Sequence, residues 1–481
     1  MGPGGCGRGR ERAGAGGRGG AAGPEIWSGW GIDPGALGGL RSAHCPGPPD
    51  GHATDDGFTS TVASAFRGGG WVRVGWSTLV DAGVALRRDL HRRPEVAWQE
   101  HGTAETVRAE LHRLNIPYRP CAGTGTLATL APTAPGRHIA LRADLDGMPV
   151  QETTGAEWSS LHEGVMHACG HDGHMATLLT AAAWLQAHED ELPGPVTLLL
   201  QPAEEGGHGA RGMIEDGALD GHLAPRPVDV VFGWHNWPAI PYGQAVCPDG
   251  PVMSANGTFV IEITGQGGHA SQPEATRDPV LAASAITLAL QQVVARRLPP
   301  NQAAVVAVTS IDARAGAPTV TPEHAVVSGS IRIGDTAQRA EVFALIAEIA
   351  SATAAAYGVQ AVTTPTPRYG ATVNAPAPAT ELRAALAAEL GEAWHSARTP
   401  VPVMASEDFS YYLDEVPGAF ALVGGGDGAG HDESCHSPRY DFNDDLLERV
   451  ARVYVQLAGA PAPPPRTPSA VQATEQAATP S

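Results

Sequence analysis

Short runs of continuous apolar residues recur along the chain and end in polar, chemically capable residues. RHIALRADLD, GPVTLLLQPAEEG and VDVVFGWHNWP are three of them, and a helix-period segment, HMATLLTAAAWLQAH, separates the first two. A strand that is apolar along its whole length has to be covered on both faces. Such strands alternating with helices imply an α/β fold: a mixed, mostly parallel sheet flanked by helices. Two amphipathic helices precede the strands. In STLVDAGVALRRDLHRRPE, Ser77 or Thr78 can cap the helix, and Leu79, Gly83, Leu86 and Leu90 fall on one face. TAETVRAELHRLNI forms the second.

The rhythm changes near Met253. GTFVIEITG reads as a strand, DPVLAASAITLALQQVVARR as a helix, AAVVAVTSIDA and HAVVSGSIRIG as two strands, TAQRAEVFALIAEIASATAAAYG as a helix and VQAVTTPTP as a strand. The order β-α-β-β-α-β is that of a ferredoxin-like unit. The expected organisation is a Gly/Pro/Arg-rich disordered extension over 1–75, a catalytic domain over 76–252 and 369–458 with the unit 253–368 inserted in it, and a disordered tail over 459–481. The two terminal segments have too little apolar surface to offset the entropy of ordering.

Of 481 residues, 51 are acidic and 31 basic, for a net charge of -20. That balance argues against a nucleic-acid or membrane-surface partner, since both demand basic patches. The six cysteines are scattered without a disulfide rhythm. The N-terminus has arginines but no apolar core of a secretory signal. A cytoplasmic location is expected.

The segment GVMHACGHDGH places Cys169 and His171 two residues apart in a Gly-broken loop before a helix. A thiolate and an imidazole at that spacing can converge on zinc or a similar divalent ion. Three further segments end apolar runs with possible ligands: Glu204 and Glu205 in QPAEEGG, His235 in GWHNWP, and His436 in SCHSPRYDFND. In open α/β sheets, ligands collect beyond the carboxyl ends of the strands. Two adjacent glutamates in a tight loop can divide the work, one binding metal and the other accepting a proton from water that the metal acidifies.

Taken together, MHACGHDGH, QPAEEGG, GWHNWP, GQGGHASQPEATRDP and CHSPRYDFND resemble the aminoacylase/hippurate hydrolase family, dinuclear metal-dependent amidohydrolases that include auxin-conjugate and N-acetyl-diaminopimelate hydrolases. The resemblance runs from about Leu79 to about Leu457. It implies that Cys169, His171, Glu205, His235 and His436 bind two divalent ions, zinc, manganese or cobalt, with the Cys169 sulfur bridging. It implies that Glu204 is the general base and later the acid, and that Asp144 sits behind the ligands and orients one of them. His269 would reach the active site of a partner subunit, in a homodimer or homotetramer built by the inserted domain. The substrate implied is a small N-acyl amino acid, cleaved at its amide bond.

Arg332 offers a guanidinium fork to a substrate carboxylate. Two departures from the family pattern stand out: Thr319 where relatives often carry asparagine, and Cys435 beside His436 where an aliphatic residue is usual. His174 is read as a helix-start or substrate-contact residue and His208 as an exposed loop residue. Glu407 and Asp408 receive no role. The rival readings are a small-peptide carboxypeptidase or dipeptidase on the same scaffold, a non-catalytic metal-binding relative, and a thiol hydrolase using Cys169.

Overall fold

The computed structural model describes residues 74–466 except 222. Of the expected disordered ends, 1–73 and 467–481 lie outside the described residues. The elements in chain order are α1 (Trp76–His91), α2 (His101–Arg113), β1 (Tyr118–Cys121), β2 (Gly125–Leu130), β3 (Ile139–Asp144), α3 (His171–Ala187), β4 (Val196–Gln201), α4 (Gly209–Glu215), β5 (Val230–Pro241), β6 (Ala245–Val246) and β7 (Gly250–Met253). There follow β8 (Ala255–Thr264), β9 (Gly268–His269), α5 (Pro279–Leu290), β10 (Ala304–Asp312), β11 (Val320–Thr321), β12 (His324–Ile333), α6 (Arg339–Ala356) and β13 (Gln360–Pro367). The chain closes with β14 (Thr372–Asn374), α7 (Pro376–Leu390), α8 (Ser410–Glu415), β15 (Gly418–Gly426) and α9 (Asp445–Leu457).

Seven strands form one sheet in the order β1-β2-β4-β3-β5-β15-β6. The four central strands run parallel, and both edges are antiparallel. Alternate side chains of each central strand feed two separate cores. Leu141, Leu198, Leu200, Phe232 and Ala421 pack with α1, α3, α7 and α9 on one face. Ala140, Leu199, Val231, Phe420 and Leu422 pack with α4 and α8 on the other. That double covering is why these strands read as unbroken apolar runs. Helix α3 lies beneath α1 and α9, buried almost all round. Its crossing with α1 depends on Gly83, where a Cβ would stand 2.2 Å from Thr180 Oγ1.

The four-stranded sheet, ordered β10-β12-β8-β13, is antiparallel throughout. One face of β8 and β12 carries Phe259, Ile261, Val327 and Ile331 against α5 and α6. The other face is polar where Asn256 pairs with Arg332 and Thr258 with Ser330, and it looks onto the cleft described below.

Local differences from the sequence reading have clear causes. Helix α1 starts at Trp76, so neither Ser77 nor Thr78 caps it. Its buried face is Trp76, Val80, Gly83, Arg87 and Leu90, shifted because Arg87 turns inward to Asp444 (2.7 Å), Asp441 (3.4 Å) and Asp172 (3.6 Å). Strand β5 continues to Pro241, placing His235 inside a strand rather than after one. Order also persists past Gly459: Trp184 Nε1 donates to the Pro461 carbonyl and Arg452 to those of Pro463 and Pro464. The carbonyls of a proline-rich segment need donors when they pack on a helix layer, and these side chains supply them.

Candidate metal centre and active site

The site lies beyond the carboxyl ends of β3, β4 and β5. Successive connections leave β3 toward β4 on one side and return past it to β5 on the other, which opens a crevice at that point. Strand β3 delivers Asp144 and, just beyond, Asp146. After β4, Ala203 takes a left-handed conformation (φ 54°) and swings Glu204 and Glu205 into one loop. Asp146 fixes that loop: its Oδ1 accepts the amide of Glu204 at 3.1 Å and its Oδ2 the amide of Glu205 at 2.8 Å. His436 is also left-handed (φ 70°) and stands at the rim.

Gly170 begins α3 at φ 88°, and a Cβ there would stand 2.4 Å from both Asn236 Oδ1 and the Tyr440 hydroxyl. Only glycine permits that turn and that approach. The turn places Cys169 and His171 on the same side of the crevice.

The five expected ligands meet in overlapping groups whose donor atoms lie within 4.8 Å of one another: Cys169, His171 and His235; Cys169, Glu205 and His436; and His171 with Glu204 and Glu205. Cys169 Sγ is 3.3 Å from His235 Nε2. His171 Nδ1 faces the Asp146 carbonyl at 2.9 Å, and His235 Nδ1 the Asn236 carbonyl at 2.6 Å. A carbonyl only accepts, so each Nδ1 donates, and each Nε2 turns toward the other donors.

His171 Nε2 and Glu205 Oε1 are buried without a hydrogen-bond partner. Glu205 Oε1 lies 3.3 Å from His436 Nε2, outside hydrogen-bonding geometry. Buried polar atoms left unsatisfied are costly, and a cation among these donors would satisfy both. The mixed S, N and O donor set suits zinc, manganese or cobalt. Residue and charge chemistry therefore fit a metal centre.

Charge points the same way. Against its burial, Asp144 and the neighbouring acids raise His171 to about 10. Burial, with Glu407, Glu205 and Asp408 close by, pushes the Glu204 carboxyl well above its ordinary value. The Cys435 thiol beside it, burial and Glu205 push the Cys169 thiol up. An excess of negative groups thus surrounds the donors, and a bound cation would offset it and deprotonate the thiol.

Behind the ligands is a layer that sequence reasoning assigned in part. Asp144 Oδ1 is 2.7 Å from His174 Nδ1, while its Oδ2 lies 3.5 Å from His171 Nε2. His174 also reaches Asn236 Oδ1 at 2.8 Å, so it is an internal strut and not a cleft residue. Arg142, fully buried, binds Asp144 (2.6 Å), Glu407 (2.8 Å) and Asp408 (3.3 Å). Glu204, Glu407 and Asp408 form a further carboxylate cluster. Arg142 and Asp146 were missed, although a charged residue inside the apolar run LRADLD was a visible signal. His208 is half-buried against Tyr411 (2.8 Å) rather than exposed, because the loop carrying it folds back under that ring.

A cleft of about 450 Å³ opens over these groups. Cys169, Glu204, Glu205, His235 and His436 line it, as do Trp237 and Cys435. Arg332 comes in from the polar face of the four-stranded sheet and donates through Nη1 to Ser406 Oγ at 2.7 Å. His269 and Thr319 are not brought to it. They are exposed neighbours on the β9–β11 ribbon, where the Ala270 amide donates to the Thr319 carbonyl at 2.9 Å.

Residues 140–460 match the sequence profile of Peptidase family M20/M25/M40. The chain is 37% identical over 389 residues to an N-acetyl-L-cysteine deacetylase of Bacillus subtilis, covering 79% of this chain and 88% of the relative. It is 39% identical over 385 residues to the IAA-amino acid hydrolase ILR1-like 2 of Arabidopsis thaliana, covering 78% and 84%. Among solved structures, the Bacillus subtilis YXEP protein, a dinuclear metal-binding peptidase of the M20 family, aligns with a TM-score of 0.66 and 30% identity over 80% of this chain and 99% of that one.

Proposed function

The chain belongs to peptidase family M20/M25/M40 and is a metal-dependent hydrolase with a dinuclear centre, and from that premise we propose that it cleaves the amide bond of N-acyl-L-amino acids. The observation that carries this reading is the gathering of Cys169, His171, Glu205, His235 and His436 from separate segments, with Glu204 beside them in one cleft. Those five side chains would hold the two ions. When bound, divalent cations supply Lewis acidity, polarising a carbonyl and lowering the pKa of water.

Glu204 is the one carboxylate of its loop pair left for proton transfer. Its backbone carbonyl is tied to the Tyr369 hydroxyl at 2.8 Å, which steadies it in the cleft wall. It takes a proton from the attacking water and returns it to the departing nitrogen. The water oxygen joins the acyl carbon, the C–N bond breaks, and a carboxylic acid and an amino acid leave. Arg332 would grip the substrate α-carboxylate.

The segment 253–368 would act as an inserted dimerisation and lid domain. Exposed apolar residues on it, Leu288 and Val362 among them, support a homodimer or homotetramer. In that assembly His269 and Thr319 would serve a neighbouring subunit's cleft. Among the described residues no helix is long and apolar enough to cross a membrane; a cytoplasmic location remains our reading.

Elemental analysis of the purified protein, with hydrolysis assays on acetyl- and benzoyl-amino acids beside dipeptides, tests the proposal. Two equivalents of metal and faster cleavage of the acyl-amino acids are expected. Faster cleavage of dipeptides would favour the peptidase reading, and activity that survives chelation would favour a Cys169 nucleophile.

A further inference from the structure

Two arginines face the cleft without an acidic partner. Arg332 is pinned by its bond to Ser406. Arg368, just past β13, donates through Nη2 to the Gly206 carbonyl at 2.7 Å, and its Nε is buried with no partner. Neither guanidinium has a carboxylate oxygen within ion-pair distance among the described residues. Arg142, fully buried, offers a contrast, since acids hold it on several sides.

The two cations also feel each other. Burial, together with the charge of Arg368, lowers Arg332 below its ordinary value. A half-buried cation with no counter-ion, facing a like charge, is an unfavourable arrangement that a bound anion relieves. The two are anchored to different loops, Ser406 beside Glu407 and Gly206 beside Glu205. Each anchor occupies one nitrogen of its guanidinium, so each fork keeps donors for a carboxylate of its own. Two unpaired guanidinium forks on this wall of the cleft therefore suit two anionic groups on the bound molecule.

We propose that Arg368 is a substrate-binding residue and that, with Arg332, it selects N-acyl derivatives of acidic amino acids. Arg332 takes the α-carboxylate and Arg368 the side-chain carboxylate. This inference rests on the N-acyl-amino-acid hydrolase reading and adds the amino-acid class to it.

The test uses the full-length, metal-loaded protein. It compares N-acetyl-L-glutamate with N-acetyl-L-glutamine, isosteric but uncharged in its side chain, by kcat/KM and by calorimetric binding. Glutamate should be preferred by at least about 10-fold, the effect of one charge-assisted contact. Arg368→Gln should collapse that ratio mainly through KM, and Arg368→Lys should restore part of it. Equal handling of the two compounds by the wild type overturns the inference. So does an Arg368→Gln loss that falls equally on both, which would mark a structural or α-carboxylate role. Binding selectivity without any turnover would sink the hydrolase reading alone. Turnover without selectivity would sink the arginine pair alone.

Discussion

Asp146 accepts the backbone amide of Glu205 at 2.8 Å, and that bond decides where the ligand loop sits. Its second oxygen holds the amide of Glu204, and its own carbonyl holds His171. One residue thus sets three members of the site. In Asp146→Asn, the side-chain NH2 replaces one acceptor and faces an amide N–H. The variant should lose on the order of 1–3 kcal/mol of stability, together with metal content. Thermal denaturation and elemental analysis on the same preparation check both.

Glu204→Gln keeps the shape of the cleft and removes the proton acceptor. It should retain wild-type metal stoichiometry and lose at least about 100-fold in kcat. Cys169→Ser should instead lower metal content, because a hydroxyl is a poorer ligand than a thiolate. Cys435→Ser, whose sulfur accepts from Asn236 Nδ2 at 3.6 Å, should leave metal content at the wild-type value. Normal turnover by the Gln variant would remove Glu204 from the mechanism, and full occupancy in Cys169→Ser would remove Cys169 from the ligand set.

Arg142 contacts three buried acids that no other described arginine reaches. Arg142→Met leaves Glu407 and Asp408 without a cation and Asp144 with only its histidine neighbours, in a site already rich in carboxylates. A loss of about 3–5 kcal/mol is expected, the cost of breaking a buried ion pair from one side. Urea denaturation of the variant measures it, and an unchanged midpoint would contradict the charge argument.

His91 is buried between Asp172 (2.8 Å) and Glu152 (3.5 Å). Burial alone would lower its pKa, but the two acids prevail and raise it from 6.5 to about 9. A folded-state value above the unfolded one means the stabilisation is complete below about pH 6.5 and is lost as pH rises toward 9. Its size is on the order of 3 kcal/mol. The melting temperature should fall across that window, and the slope should flatten in His91→Gln. A flat wild-type profile would show that the imidazolium is not held by its neighbours.

The sequence by itself determined the central strands, the long helices and the residue types suited to holding a metal. Apolar runs such as VTLLLQ record burial on both faces, and glycine, cysteine and histidine at fixed spacing record a local turn with donors on it. Those signals are local, so they survive in one dimension. Asp144 and Arg332 were legible in the sequence, but only the tertiary structure put Arg142 and Asp146 behind the donors and Arg368 at the cleft. Arg142 meets Glu407 and Arg368 meets Gly206 across more than a hundred and fifty residues of chain. Charges that far apart in sequence acquire partners only when the sheet closes beneath them. His269 and Thr319 mark the other limit: a single chain leaves them on an exposed ribbon, where any role at a cleft depends on a second subunit.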